Sequence, residues 1–537
     1  MRTFYHSYRL DCILFFKTWS PGILATGSTF LLLYLAQPPG EFPEAAYFFL
    51  VPLLVWLYFE PKSKAIYVSL ILSGFIYNIG LIGWIRHVSP VGMLLACLVV
   101  TIYQLPWFII ASRWVYKCAD GPFWVRFSGI FGLSALWVTI EWARSLFPLG
   151  FPWCPLSVTQ WERPAILQLV PYAGGWIVSF FLVFFNLCLA SYLHHLLVRR
   201  RRQDRSGYFS SMCPDFYICM AFFLIMLLPL ILRSKKSDLA ESVSVKVGVC
   251  QPYLLNKWAP ENIAHNKRTL IEQTNVLSSL RPDLIVWPEA STPYAVNLDR
   301  GWVEGLSKEG DTPILAGAII KENELSYNSV VKINPLHGLE QEWYAKQVLV
   351  PFGEHIPAPL SLIPGLTRLV GPVGNFTQGN CFHSFTVANK YNQTISIVPV
   401  ICYEDIFPGL VKDVPVNQNT LLFVTTNDAW FGEEGCAEQH ASHSVIRALE
   451  LGVSVLRCGN AGWSGWISPN GVIREVMRDQ DESVYFQGAS VLEISVPPSK
   501  KTFYSKRGDY FVALCLVLVI FSSCFIQKIK PTAFRPI

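Results

Sequence analysis

The chain has 537 residues, of which 52% are hydrophobic and only 15% are charged. Soluble domains carry roughly 25% charged residues, so much of this chain is expected to lie in lipid. The net charge of +5 is small, and no basic run alternates with aromatic residues in the polar region, which argues against nucleic acid as a partner. The fourteen cysteines include no C-x-x-C pair, which argues against a zinc ribbon or a redox dithiol.

Apolar stretches near the length of a bilayer-crossing helix, about 20 residues, lie on both sides of one long polar region. Because six further stretches follow the first before that region, we interpret the first as a retained helix and not as a cleaved signal. Together they predict an eight-helix membrane part. The stretches are 22–38, 44–59, 64–86, 91–112, 127–146, 166–196, 214–233 and 508–527.

Lys and Arg are concentrated in alternate connections, and this asymmetry sets the orientation of a membrane protein. With eight spans, five basic segments fall on one side, so both termini are expected in the cytoplasm and the polar region on the outer face. Arg233, Lys235 and Lys236 fall on the other side, but they open the long polar region, where the charge rule is weak. The chain then divides into a membrane domain (1–236) with about seven helices, an outer domain (237–500), and a last helix with its tail (501–537). The basic segments are the N-terminus, 62–64, 113–126, 199–205 and the C-terminal tail.

Two charged residues lie near the end of the fifth predicted span. Glu141 and Arg144 are three residues apart, so they share one face of a helix. One interpretation is an ion pair that neutralises itself near the membrane interface. The other is a contact with a lipid headgroup.

The polar region alternates short apolar runs with helix-like stretches at about 260–280 and 437–451. Continuous apolar runs are typical of strands that are buried on both faces, so this region is predicted to be an α/β domain with a stacked sheet core. The predicted strands are Val243–Cys250, Leu284–Trp287, Pro313–Ala318, Asn328–Ile333, Thr394–Ile401, Thr420–Thr426, Val453–Cys458 and Ala489–Ile494.

Three reactive side chains lie near the ends of apolar runs in this domain. Cys402 is a potential nucleophile, and a thiol needs a base or a positive neighbour to react at neutral pH. Glu289 follows a buried strand, where burial is expected to raise its pKa and suit it to take the thiol proton. Lys346 could stabilise a thiolate and an oxyanion. The three together permit acyl transfer through a thioester.

Each of these residues also has a structural explanation. A Cys after a strand is more often a small buried hydrophobe, a Glu there is usually a solvated cap, and a Lys before an apolar run often extends its amine to water. Cys250 and Cys458 also lie at strand ends, and Cys436 lies in a loop. Spacing alone therefore leaves the choice of nucleophile open.

A resemblance makes that choice. The Glu after a buried strand, the Lys before an apolar strand and the Cys in a strand-end turn resemble the nitrilase superfamily. Within it, the chain resembles the membrane-anchored apolipoprotein N-acyltransferase family. The further motifs are Gly150–Trp153 (GFPW), Leu349–Glu354 (LVPFGE), Thr426–Gly432 (TNDAWFG) and Arg447–Glu450 (RALE).

This resemblance implies a nitrilase-like α-β-β-α sandwich on a base of eight transmembrane helices, in the bacterial inner membrane with the catalytic domain in the periplasm. It implies ping-pong transfer of an acyl chain from a phospholipid, typically phosphatidylethanolamine, to the N-terminal diacylglyceryl-cysteine of apolipoproteins. It implies no metal and no cofactor.

The resemblance also assigns roles to residues. It makes Cys402 the nucleophile, Glu289 the base and Lys346 the oxyanion residue, and it adds a supporting set and one aromatic residue of the acyl pocket. Trp463 and the polar stretch 479–487 depart from the family pattern, which leaves the effect on donor preference open. The supporting residues are Asn328, Glu354, Tyr403 and Glu404, and the pocket residue is Trp258.

Two other functions compete with acyl transfer. A membrane-tethered nitrilase-type amidase or hydrolase would use the same nucleophile with water as acceptor. The large membrane base and the long apolar connection 356–373 favour a lipid substrate instead. A non-enzymatic transporter or receptor with a degenerate outer domain would not need to keep all three of Glu289, Lys346 and Cys402.

Overall fold

The structure is a computed structural model, and it describes residues 20–58, 63–119, 121–146, 150–202, 213–232, 242–257, 259–356 and 374–529. Two features of the sequence analysis fall outside these ranges. They are the predicted pocket residue Trp258 and nearly all of the apolar connection 356–373.

Apolar helices occupy both ends of the chain, as the composition predicts. Within the described ranges, five are long and apolar enough to cross a membrane, and three more are shorter. The predicted count of eight crossing helices is therefore not confirmed, because a helix needs about 20 residues to span the hydrocarbon core. The long helices are Lys64–His87, Pro90–Cys118, Phe123–Leu146, Trp176–Leu197 and Tyr510–Gln527, and the short ones are Ser20–Ala36, Pro43–Leu57 and Pro214–Leu228.

The N-terminal part consists of eight α-helices and several 3₁₀ turns within the described residues. The second predicted span, 44–59, divides into the 3₁₀ turn Pro43–Tyr47 and a short helix. The helices are α1 Ser20–Ala36, α2 Val51–Leu57, α3 Ser63–Ile82, α4 Pro90–Cys118, α5 Phe123–Leu146, α6 Val170–Ala173, α7 Trp176–Arg202 and α8 Pro214–Leu232.

The predicted span 166–196 is wrong at its N-terminal end. The chain turns at Gly174, whose φ of +70° lies in the left-handed region, and helix α7 begins at Trp176. A Cβ at Gly174 would lie 2.6 Å from the ring of Tyr504. Glycine therefore permits both the turn and the close approach of the segment that leads into the last helix.

The polar region forms two six-stranded sheets, as its apolar runs predict. The first sheet has the order β12-β1-β2-β3-β4-β5 and the second has the order β11-β10-β9-β8-β7-β6. Every predicted strand is present, and the additional strands are short or polar. The strands are β1 Val243–Gln251, β2 Leu284–Trp287, β3 Ile314–Glu322, β4 Leu325–Asn334, β5 Gly338–Ala345, β6 Phe385–Ala388, β7 Thr394–Ile401, β8 Thr420–Thr426, β9 Ser454–Gly459, β10 Gly465–Ile467, β11 Ile473–Val476 and β12 Gly488–Val496.

The two sheets pack face to face, with helices on both outer faces. Side chains of β1 and β2 contact those of β7, β8 and β9 in one buried cluster between the sheets. A second cluster joins the other face of the first sheet to α9 and α10. The arrangement is the predicted α-β-β-α sandwich. The remaining helices are α9 Ile263–Ser279, α10 Gly301–Glu309, α11 Pro408–Val411, α12 Cys436–Leu451, α13 Phe503–Arg507 and α14 Tyr510–Gln527.

Helix α12 lies between the second sheet and the apolar helices. Nearly all of its side chains are buried, including polar ones. Gln439 donates to the carbonyl of Leu81 at 3.0 Å and accepts from Trp84 and Trp153 at 3.0 and 2.8 Å. Because buried polar groups need partners, these bonds attach the sandwich to the membrane helices in one orientation.

Candidate active site

The three predicted catalytic residues follow the ends of three strands. Glu289 lies just after β2, Lys346 directly after β5 and Cys402 directly after β7. The backbone before Glu289 packs tightly on the next strand, since a Cβ at Gly317 of β3 would lie 2.4 Å from the carbonyl oxygen of Pro288. The fold thus brings a carboxylate, an ammonium and a thiol to one edge of the sandwich.

Lys346 lies at the centre of a buried polar network. Its Nζ is 3.0 Å from Oε1 of Glu289 and 3.0 Å from the carboxylate of Glu354. The amide of Asn328 donates to both carboxylates, at 2.7 and 2.8 Å. The second oxygen of Glu354 accepts from the backbone N–H of Val350 at 2.8 Å. The structure therefore brings four of the predicted site residues into mutual contact.

The charges of this network reinforce one another. Burial opposes the ammonium of Lys346, but Glu289 and Glu354 outweigh it and raise the pKa of Lys346. Burial also pushes the pKa of Glu289 upward, as the sequence analysis expects. The charges of Lys346 and Lys257 and the hydrogen bonds from Asn328 and Lys346 outweigh that effect and lower the pKa of Glu289. The expected rise is therefore wrong in its net direction, and Glu289 is ionised at neutral pH.

Cys402 begins the 3₁₀ turn that follows β7. Its φ of +51° lies in the left-handed region, which costs free energy for a residue other than glycine. The residue is partly exposed, whereas Cys250, Cys436 and Cys458 are fully buried. Burial of the thiol and the charge of Glu289 raise the pKa of Cys402 well above its usual range, against the opposing charge of Lys346. At rest, Cys402 is therefore a neutral thiol and Glu289 is an ionised carboxylate. In these states Glu289 can accept the proton of the thiol.

Glu404 fixes the turn that carries the thiol. Its carboxylate accepts from the backbone N–H of Ile401 at 2.6 Å and of Gln347 at 2.5 Å, and from the hydroxyl of Tyr344 at 2.8 Å. Burial raises the pKa of Glu404 to about 7, against the lowering effect of these bonds and of Lys346. Glu404 therefore connects the end of β7 to the strand end that carries Lys346, and it acts as a positioning residue.

Tyr403 connects the same turn to the segment that follows the apolar helix α5. Its hydroxyl donates to the carbonyl of Gly150 at 3.1 Å. Its ring stacks on Phe151, with ring centroids 6.4 Å apart, and meets Phe407 edge-on at 4.9 Å. The nucleophile is thereby held against the Gly150–Trp153 segment that the sequence analysis singles out.

Comparison with known proteins decides the family. The apolipoprotein N-acyltransferase N-terminal domain matches residues 31–188, and the carbon-nitrogen hydrolase domain matches residues 246–492. Apolipoprotein N-acyltransferase 2 of Treponema denticola is 26% identical over 75% of this chain and 78% of its own length. Apolipoprotein N-acyltransferase 1 of the same bacterium is 26% identical over 90% and 92%. The chain belongs to the apolipoprotein N-acyltransferase family.

A solved structure is also similar to the sandwich of this family member. It is a CN-hydrolase superfamily protein from Xanthomonas campestris, 15% identical, with a TM-score of 0.35 over 51% of this chain and 97% of that chain.

A second polar layer lies under the nucleophile of this N-acyltransferase family member, and the sequence analysis missed it. His440 of α12 donates from Nε2 toward the carbonyl of Cys402 at 3.1 Å, and the same nitrogen is 2.9 Å from Asp405. Its Nδ1 is 3.0 Å from Asp428. Arg457 is 2.8 Å from the other oxygen of Asp405. His440 lies 38 residues from Cys402 in sequence, so no local pattern connects the two.

Electrostatic attraction between His440 and the carboxylates of Asp405 and Asp428 stabilises this polar layer. Burial lowers the pKa of His440, but Asp405 and Asp428 outweigh burial and the repulsion of Arg457 and raise that pKa to about 9. The potential ligand atoms of Cys402, Asp428 and His440 lie within 4.8 Å of one another. Both imidazole nitrogens already have carboxylate partners, Asp405 at 2.9 Å and Asp428 at 3.0 Å. The cluster therefore acts as a hydrogen-bonded support for the nucleophile.

Lys257 is a further cation that the sequence analysis missed, although it precedes Trp258 directly. Its Nζ donates to the backbone carbonyl of Glu289 at 2.7 Å. Burial lowers the pKa of Lys257 to about 8, against the opposing effect of Glu289. Lys257 therefore adds a second positive charge close to Glu289 and helps to lower the pKa of that carboxylate.

The two departures from the family pattern lie near the start of α12. Trp463 is fully buried in the core that the second sheet shares with the helices. In the stretch 479–487, the hydroxyl of Tyr485 accepts from the backbone N–H of Gly435 at 3.2 Å and donates to Glu438 at 3.0 Å. Both features pack the helix that carries His440.

Proposed function

We propose that this protein transfers an acyl chain from a phospholipid to the free α-amino group of the N-terminal diacylglyceryl-cysteine of apolipoproteins, giving triacylated lipoprotein. The observation that carries this proposal is the position of Cys402. On one side, Glu404 of its turn binds the backbone beside Lys346, and on the other side Tyr403 binds Gly150 in the connection that follows the apolar helix α5. A nucleophile at this junction suits an ester that remains in the membrane.

The first half-reaction acylates the thiol. Glu289 takes the proton of Cys402 as the sulfur attacks the carbonyl carbon of the donor ester. Lys346 and backbone N–H groups of the turn, starting at Tyr403, stabilise the oxyanion. The tetrahedral intermediate then collapses, the glycerol oxygen leaves with the proton from Glu289, and lysophospholipid departs. The product is a thioester on Cys402.

The second half-reaction releases the acyl chain to the amine. The α-amino group of the diacylglyceryl-cysteine attacks the thioester carbonyl and loses a proton to Glu289. The carbon–sulfur bond breaks, and the thiolate regains that proton. Covalent catalysis thus divides one difficult acyl transfer into two easier steps.

The supporting residues act through these three. Asn328 and Glu354 orient Glu289 and Lys346 by hydrogen bonds, and Glu404 fixes the turn of the nucleophile. We assign Trp258 to the acyl pocket on the resemblance alone. We propose that the reaction needs no metal and no cofactor, since both proton transfers have a protein base.

The eight apolar helices and the basic connections support a membrane arrangement. In it, all eight cross the bacterial inner membrane, with the catalytic domain in the periplasm and both termini in the cytoplasm. The parts are then 1–236, 237–500 and 501–537. Phosphatidylethanolamine is the proposed donor, since the resemblance implies it.

One assay tests the function. Membranes containing the full chain are incubated with an acyl-labelled phospholipid and a diacylated lipopeptide, and the Cys402→Ser variant is run in parallel. We expect label on the lipopeptide amine with the wild type and none with Cys402→Ser. Label recovered as free fatty acid would identify a hydrolase, and transfer by Cys402→Ser would exclude this nucleophile.

A further inference from the structure

A small cleft lies among helices α1, α3, α4 and α5, beside the loop that follows α5. It is distinct from the catalytic network. Its wall is partly aromatic and carries several polar side chains. Among the lining residues are Gln37, Tyr77, Gln104, Trp137, Glu141 and Arg144.

The polar atoms of this wall are incompletely satisfied. Among the described residues, Oε2 of Glu141, Nε of Arg144 and the amide oxygens of Gln37 and Gln104 are buried without a hydrogen-bond partner. Glu141 and Arg144 are themselves only 7% and 6% exposed. Most buried polar groups in proteins are hydrogen-bonded, so four such atoms around one cleft point to a ligand.

Glu141 and Arg144 do not contact each other directly. Within the described part of the chain, no direct ion pair joins them, and each keeps one buried polar atom without a hydrogen-bond partner. Oε1 of Glu141 accepts from Trp137 at 2.9 Å and from the backbone N–H of Leu156 at 2.8 Å. Arg144 donates from Nη2 to the carbonyl of Trp153 at 3.1 Å. The two opposite charges are therefore close without forming the direct ion pair that one interpretation of the sequence expects.

The cleft is connected to the catalytic part. A second, smaller cleft shares Glu141 and Arg144 with the first and reaches Ile406 in the turn that begins at Cys402. Arg144 binds Trp153 while Tyr403 binds Gly150, so both hold the same four-residue segment. A ligand held by Glu141 and Arg144 therefore lies beside the structure that positions Cys402.

The chemistry of the pair defines the ligand. A buried carboxylate needs a hydrogen-bond donor or a cation, and a buried guanidinium suits a phosphate above other anions. Buried charges in a membrane are costly and commonly mark a substrate site. A ligand that carries an ammonium and a phosphodiester a few bonds apart would satisfy both groups at once.

We propose that Glu141 and Arg144 bind the zwitterionic headgroup of the phospholipid acyl donor, Glu141 through its ammonium and Arg144 through its phosphodiester. The inference rests on the proposed function and extends it by naming the residues that select the donor. The acceptor lipopeptide also carries an ammonium, and separate measurement of the two half-reactions distinguishes the two sources.

The test uses Glu141→Gln. Glutamine keeps the oxygen that accepts from Trp137 and Leu156, and it replaces the unpartnered oxygen with an amide that repels an ammonium. Thioester formation on Cys402 is measured with purified full-length protein, using phosphatidylethanolamine and phosphatidylglycerol with the same acyl chains. We expect the rate with phosphatidylethanolamine to fall roughly 10- to 100-fold, the scale of one charge-assisted hydrogen bond, and the rate with phosphatidylglycerol to change little. Arg144→Gln is expected to slow both donors.

Two controls separate this inference from the proposed function. A p-nitrophenyl acyl ester has no headgroup, so Glu141→Gln should acylate Cys402 from it at close to the wild-type rate. Glu44→Gln removes the carboxylate of the exposed Glu44–Arg163 pair and should leave the ratio of the two donors unchanged. If the wild type forms a thioester from the nitrophenyl ester but from neither phospholipid, the result contradicts the proposed phospholipid-dependent function itself. It would not be a failure of the headgroup assignment alone.

Three results would overturn the headgroup assignment. One is an unchanged donor ratio in Glu141→Gln. A second is an effect confined to the KM of the lipopeptide, which assigns the cleft to the acceptor. The third is an equal loss with the nitrophenyl ester, which indicates a structural role. Should Glu141→Gln fail to fold, Gln104→Leu removes one unpartnered cleft oxygen and leaves the Glu141 hydrogen bonds intact. It should lower the rate with phosphatidylethanolamine several-fold relative to the nitrophenyl ester, and an unchanged rate also overturns the assignment.

Discussion

The catalytic network and the cleft between the helices both bury charge, but they treat it in opposite ways. Lys346 lies 3.0 Å from Glu289 and 3.0 Å from Glu354. Glu141 and Arg144 each keep a buried atom without a partner. A network whose buried charges are directly paired without substrate is preorganised for chemistry, whereas buried charged groups that lack a direct ion-pair partner are suited to bind a ligand that supplies one. The comparison distinguishes the catalytic network, which carries out the reaction, from the cleft between the helices, which in our proposal selects the acyl donor.

The largest expected effect is at the nucleophile. Cys402→Ser replaces the thiol with a much less acidic hydroxyl in a site that already disfavours ionisation, so acyl transfer should fall by about 10³-fold or more. Thioester on the protein, measured by mass, should be absent. Cys381→Ser changes an exposed thiol of the same domain and should retain activity. Thioester on any other cysteine of Cys402→Ser would refute the assignment.

The two buried cations should respond differently to the same change. Lys346→Met leaves two buried carboxylates without their cation and should lower the free energy of unfolding by about 3–5 kcal/mol. Arg144→Met removes one hydrogen bond from a charged group, to the carbonyl of Trp153, and no direct ion pair, so the loss should be smaller, about 1.5–3 kcal/mol. Thermal unfolding in detergent measures both. Equal losses of unfolding free energy in the two variants would mean that the charges of the network and of the cleft stabilise the fold to the same extent.

His440 makes the stability of the catalytic part depend on pH. Its partners are Asp405 and Asp428, with Arg457 and His443 close by. Because its pKa in the folded protein is about 9, above the usual 6.5, its contribution is complete below pH 6.5 and is lost as the pH rises through 9. His440→Gln should therefore destabilise by about 3 kcal/mol near pH 6 and by much less near pH 10.

The exposed His337 on the turn after β4 provides the control for this pH series. His337→Gln should leave the unfolding temperature close to that of the wild type at each pH. A loss in His440→Gln that is the same at pH 6 and pH 10 would show that packing, and not charge, is what His440 contributes.

The smallest expected effect is at the contact between the turn of Cys402 and the Gly150–Trp153 segment. Tyr403→Phe removes the hydrogen bond to Gly150 and keeps the ring on Phe151. A single neutral hydrogen bond contributes about 1 kcal/mol, so thioester formation from a phospholipid should slow several-fold. The nitrophenyl ester should react almost normally, since the Glu289–Lys346 network is intact. Tyr391→Phe, at an exposed position, is the control, and equal slowing of both esters would place the role of Tyr403 in the chemistry itself.

The sequence is informative where a local pattern is sufficient. Continuous apolar runs predict most central strands, because a strand buried on both faces needs such a run whatever its partners are. The exception is the central strand Gly465–Ile467, which has only three residues and is too short to give a run. The edge strand Gly338–Ala345 is missed because it is polar and partly solvated. The positions of Glu289, Lys346 and Cys402 after their strands follow from these assignments, although the choice of Cys402 among the cysteines needed the resemblance.

Other features depend on groups that are distant in the chain. The pKa of Glu289 falls although the residue is buried, because Lys346 and Lys257 come to it from 57 and 32 residues away. His440 reaches the carbonyl of Cys402 from a helix on the far side of the second sheet. The break at Gly174 exists because Tyr504 packs against it.

By itself, the sequence determined that this chain combines apolar helices with an α/β domain and carries a carboxylate, an ammonium and a thiol after three of its strands. These are local properties of composition and periodicity. The tertiary structure alone decided the charge state of the base, the layer that supports the nucleophile, and the separation of Glu141 from Arg144. Each of these depends on which buried groups meet in space, and electrostatic interactions between buried groups are set by distance and burial and not by order along the chain.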